Sequence, residues 1–195
     1  VSTLVVLLML SLDIILAKRF FPADIVGKYA VLSMLGKMIF FATTAIGKGM
    51  FPLTTEKYEQ KKDSFKIFKK AFIIIFLVCT ISILVFAFFP EKIIGILYGS
   101  QYLSVSNLLI YSAIALSLLS MSNLILIYGL SIEAIKKSYF LLIFIVLEIS
   151  LFFLFHKNIQ EYILAFMVSN TIMFIGSVFL LFRWKKSKRF LVCPK

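Results

Sequence analysis

Apolar residues in this chain come in long, nearly unbroken blocks separated by short polar segments. A bilayer's hydrocarbon core needs about 20 apolar residues in helical conformation to cross it. Six blocks meet or approach that length, over residues 1–20, 27–51, 71–89, 105–130, 139–155 and 162–182. None shows the apolar/polar alternation of an outer-membrane barrel strand. Helices satisfy their own backbone hydrogen bonds in lipid. The expected class is therefore all-α, a polytopic membrane protein with six transmembrane helices, followed by a basic tail over 183–195. Pro22, Pro52, Pro90 and Pro194 all fall outside the blocks, where helix breakers belong.

Two connecting segments carry patterns of their own. Residues 54–70 place Phe65, Phe68 and Phe72 at i, i+3 and i+7 among lysines. They read either as a short interfacial helix or as a solvated basic connector. Residues 91–102 mix Ile93, Ile94, Ile96 and Leu97 with Gly95 and Gly99, too short to span and suited to the interface.

Composition narrows the class. Of 195 residues, 62% are hydrophobic and 15% charged, against about 25% charged in ordinary soluble domains. With a mean hydropathy of +1.04, this excludes a soluble globular domain and a disordered chain. The net charge of +12 sits mostly between the apolar blocks, so it points to topology and anionic lipids, with no nucleic acid. Fourteen of the 21 Lys and Arg fall after the second and fourth blocks and in the tail; five fall in the alternate loops. The positive-inside rule puts the first group, and both ends of the chain, in the cytoplasm. Cys79 lies in an apolar block and Cys193 in the tail, so both read as free thiols. The first block lacks the basic start and small-residue cleavage site of a signal peptide, and the chain reads as cut from something longer.

Charges inside the blocks are the informative residues, because they are costly at membrane depth. Apolar residues of the second block favour insertion by ~5 kcal/mol, which two deep lysines would cancel. Lys48 is near the cytoplasmic end and can snorkel; Lys37 is central and calls for protein neighbours or water. At 1.5 Å per residue, Asp13, Lys37, Glu148 and Asn170 each fall ~12–13 Å below the outer ends of their blocks. One reading of this layer is the wall of a hydrated cavity. The other is a structural Asp13–Lys37 ion pair, with Glu148 satisfied by a hydroxyl. Lys37 and Lys48 are close to three helical turns apart and share a face, which suits an anionic substrate such as a pyrophosphate.

Ser117, Ser120, Ser122 and Asn123 read as helix-packing hydrogen bonds, Gly36, Gly47 and Gly49 as points of close helix approach, and Trp184 as an interface anchor. His156, the one histidine, sits at the outer interface. The chain has no phosphate-binding loop, metal-spaced His/Cys cluster or Ser/His/Asp set, so neither an enzyme nor a cofactor is expected.

Ser11-Leu-Asp-Ile-Ile-Leu-Ala-Lys18, followed by Asp24-Ile-Val-Gly-Lys-Tyr-Ala30, resembles the start of the second half of a polysaccharide flippase, the Wzx-like branch of the MATE-related exporters. Phe51-Pro52 before a basic loop and Leu97-Tyr-Gly-Ser-Gln-Tyr102 also resemble elements of that family. The resemblance implies one six-helix lobe of a twelve-helix transporter in the bacterial inner membrane, with the N-terminal lobe as its partner. It implies flipping of an undecaprenyl-pyrophosphate-linked oligosaccharide by alternating access. Lys37 and Lys48 would then attract the pyrophosphate or acidic sugars, and Asp13 or Glu148 would carry a coupling proton or ion. A membrane-embedded glycan polymerase or transferase, or an exporter of drugs or another lipid-linked precursor, are the alternatives.

Overall fold

The computed structural model describes the backbone of residues 2–134 and 141–189, and the side chains of 3–134 and 141–183. Within those residues the chain is helical, without strands. The elements are α1 (Ser2–Phe20), α2 (Ala23–Glu59), α3 (Phe65–Phe88), α4 (Pro90–Leu97), a 3-10 segment (Ser100–Leu108), α5 (Leu109–Ser131), α6 (Leu142–Leu154) and α7 (Ile159–Arg189). Among the described residues, four helical segments are long and apolar enough to cross a membrane: α2, α3, Ser100–Ser131 and Ile159–Arg183. α1 carries Asp13, Lys18 and Arg19 within 19 residues. α6 has 13 residues, ~20 Å at the α-helical rise. The start of the fifth predicted block, together with Lys136, Lys137, Cys193 and the side chain of Trp184, lies outside the described residues.

Local chemistry sets the boundaries. Pro22, in extended conformation, precedes α2, and Pro90 opens α4, where a missing N–H costs nothing. Pro52 departs from the expectation that it closes a block, because α2 runs on through it to Glu59. The separate interfacial helix over 54–70 is also corrected. Residues 54–59 extend α2, 65–70 open α3, and a tight turn joins them, with Lys61 at φ 54° and the Asp63 carboxylate accepting the Phe65 N–H at 3.0 Å.

α5 is the axle of the bundle. It packs against α1, α2, α3 and α7, while α6 closes the circuit between α7 and α1. Residues on every side of α5 are buried, which is where a helix apolar all round belongs. At Gly36 an added Cβ would lie 2.5 Å from Leu116 Cδ1 and from Ser112 Oγ, so glycine lets α2 and α5 touch; the Ser112 hydroxyl donates to the Leu32 carbonyl at 2.7 Å across that contact. Gly49 meets nothing within 4 Å, so it is not the point of approach its spacing implied.

Outside this core the surface is strongly apolar. Ile73, Ile74, Phe76, Leu77, Ile81 and Leu84 of α3 are all exposed, as are Leu4, Leu8 and Ile15 of α1 and Ile175 and Phe179 of α7. Soluble monomers rarely expose contiguous apolar surface on this scale. The chain also has two distinguishable ends. Phe68 at the start of α3 packs on Tyr128 near the end of α5, with ring centroids 4.5 Å apart. Phe20 at the end of α1 stacks on His156 before α7 at 4.5 Å. The lysine-rich α2–α3 turn and the ends of α5 and α7 thus share one end.

Candidate functional site

Asp13, on α1, is fully buried, and a carboxylate in a dry interior is costly unless charge and hydrogen bonds surround it. α2 supplies the partners from one face. Tyr29, Ser33 and Lys37 are spaced i, i+4, i+8, so their side chains stack along the helix side that meets α1. The Ser33 hydroxyl donates a short bond to Asp13 Oδ2, and the Tyr29 hydroxyl donates to the same oxygen at 3.3 Å. Lys37 Nζ lies 3.1 Å from Oδ1. From α7, the Tyr162 hydroxyl donates to the Asp13 backbone carbonyl at 2.7 Å.

Aromatic rings close one side of this cluster. Tyr162 meets Tyr29 edge to face at 5.1 Å and stacks on Phe152 of α6 at 4.3 Å. Lys37 is at the margin, with 14% of its side chain exposed against none for Asp13. The ion pair is therefore fully buried at Asp13 and only partly exposed at Lys37.

Glu148 of α6 is fully buried, and neither carboxyl oxygen has a hydrogen-bond partner among the described residues. It lies within electrostatic reach of Asp13 and Lys37. The hydroxyl partner foreseen for Glu148 is therefore absent among the described residues. Asn170 of α7 is buried and donates to the Phe166 carbonyl at 2.8 Å, while its Oδ1 has no partner. Ser117 and Ser169 also carry unpartnered buried hydroxyl oxygens. Of these groups only the Glu148 carboxyl can take up a proton. No group of three His, Cys, Asp or Glu that could hold a metal ion occurs among the described residues.

Of the five residues singled out from the sequence, the structure joins Asp13 and Lys37 directly and sets Glu148 within their field. Asn170 is buried but bonded within its own helix. Lys48 is exposed, on the face it shares with Lys37 but about 16 Å along α2. Sequence reasoning missed Tyr29, Ser33 and Tyr162. The four-residue ladder 29–33–37 was the available signal for the first two; Tyr162, over a hundred residues away, had none.

Ser120 and Ser122, expected to make helix-packing hydrogen bonds, instead each donate to a carbonyl of their own helix at 2.8 Å. The His156 ring nitrogen Nδ1 is 2.8 Å from the Phe153 carbonyl and takes no part in the charged cluster. No family model, curated protein or solved structure matches this chain.

Proposed function

We propose that this chain is the C-terminal six-helix lobe of a twelve-helix exporter. In this reading it is a transporter rather than an enzyme, and it flips undecaprenyl-pyrophosphate-linked oligosaccharide units across the bacterial inner membrane. α1 and α6 complete the six spans, and the basic end faces the cytoplasm. The observation that carries the reading is a buried Asp13–Lys37 pair, partly exposed at Lys37, beside an unpartnered Glu148. Intramembrane charge of that kind is costly to keep for stability alone and marks ion and substrate pathways.

The residues divide the work as follows. Lys37 has two available partners, the Asp13 carboxylate and an anionic group arriving from its partly exposed side. Lys48, exposed on the same face of α2, extends the cationic track toward the basic end. When Lys37 turns to a pyrophosphate, Asp13 keeps the Ser33 and Tyr29 hydroxyls, which hold the vacated carboxylate in place. Glu148, close enough to sense the change in charge, takes up the coupling proton or cation. The exposed stripe Met34, Met38 and Phe41 on α2, with Leu4, Leu8 and Ile15 on α1, is the face offered to the N-terminal lobe. Exposed Lys48, on the same face as partly exposed Lys37, favours an anionic cargo over cationic drugs.

The test is export of surface polysaccharide by the complete transporter, at matched protein levels. Glu148→Gln and the paired change Asp13→Leu with Lys37→Met are expected to abolish it while the protein still accumulates in the membrane. Wild-type export in both variants would reject the reading.

A further inference from the structure

We propose that the groove between α3, α5 and α7 at the basic end of the bundle is a binding site for one anionic phospholipid. In this arrangement the phosphate sits on Lys69 and an acyl chain lies along Phe68 and Phe72. The site is separate from the Asp13–Lys37 cluster, and it requires a bilayer around the helices but not the exporter reading.

The groove has a volume of about 310 Å³. One wall is α3, with Phe65, Phe68 and Phe72; the opposite wall is Val178 and Leu181 of α7, and Ile125 of α5 forms the floor. The aromatic wall is preformed. Phe68 is 3% exposed, its ring held 4.5 Å from Tyr128 and 5.8 Å from Phe72. Such a trough on a surface that is otherwise apolar excludes water and fits hydrocarbon.

The rim decides which lipid. Lys69 lines the groove and is exposed. Lys69 makes no ion pair within 4.0 Å among the described residues. One exposed cation, Lys69, at the rim of an apolar trough matches one phosphate-bearing headgroup with its chain below. A zwitterionic headgroup would bring its own cation to the same rim, and a bare phosphate would leave the trough unfilled.

The experiment uses the full chain in detergent, mixed with dioleoyl phosphatidylglycerol or dioleoyl phosphatidylcholine and examined by native mass spectrometry. We expect one phosphatidylglycerol retained per protein, with phosphatidylcholine and soluble glycerophosphate not retained. Lys69→Ala should weaken retention about fivefold. Val178→Trp, which fills the trough and leaves Lys69 in place, should abolish it. Equal retention of the two lipids would overturn the proposal. So would phosphatidylglycerol retention unaffected by either variant, or glycerophosphate binding as well as the lipid does.

Discussion

Removing one partner of the Asp13–Lys37 pair leaves the other as a buried charge without compensation. Lys37→Met is therefore expected to destabilise the protein by about 3 kcal/mol, and adding Asp13→Leu to recover most of that loss. Thermal unfolding of the single and paired variants in one detergent checks this; a paired variant no more stable than Lys37→Met would show that the two residues do not depend on each other. The glycines make a second comparison. Gly36→Ala forces a Cβ into Ser112 and Leu116 and is expected to cost about 1–3 kcal/mol, whereas Gly49→Ala meets nothing and should be neutral or slightly stabilising. Equal melting shifts for the two would contradict the close approach of α2 and α5. At this scale the charged residues were legible, because an ionisable side chain inside an apolar block stands out by itself. Their hydroxyl partners were not, since Ser33 and Tyr29 look ordinary until a second helix is laid against them.

Helix ends were read less well than helix centres. Hydropathy marks the part of a helix suited to lipid, and polar residues 54–59 and 65–70 resemble a loop while remaining helical. Pro52 sits inside α2, where it withholds an N–H from the Lys48 carbonyl. Pro52→Ala restores that bond, so the variant should unfold at higher temperature. A lower midpoint would mean that the proline is needed for the shape of α2. The other α2 turns near this point are reinforced by side chains, with the Thr54 and Thr55 hydroxyls donating to carbonyls one turn back at 2.8–3.0 Å. The aromatic spacing of Phe65, Phe68 and Phe72 was recognised correctly as one helical face. Its partner, Tyr128, is more than fifty residues away and left no trace in local periodicity.

For the whole molecule, the alternation of basic and less basic connectors implied which segments share an end, and the contacts of Phe68 with Tyr128 and of Phe20 with His156 agree with it. Orientation can be tested in intact cells with a membrane-impermeant thiol reagent, after replacing Cys79 and Cys193. Lys157→Cys should be modified and Lys61→Cys should be protected until the cells are opened; the reverse pattern would invert the topology. The arrangement of helices around α5 was not legible, because several blocks are equally apolar and only the serines set the fourth apart. Those serines have a bearing on biogenesis. Ser120 and Ser122 spend their hydroxyls on carbonyls of their own helix, so these two groups have no dangling donor even before α5 packs against its neighbours. Ser112, by contrast, reaches across to Leu32, so its bond requires α2 and α5 to be in contact.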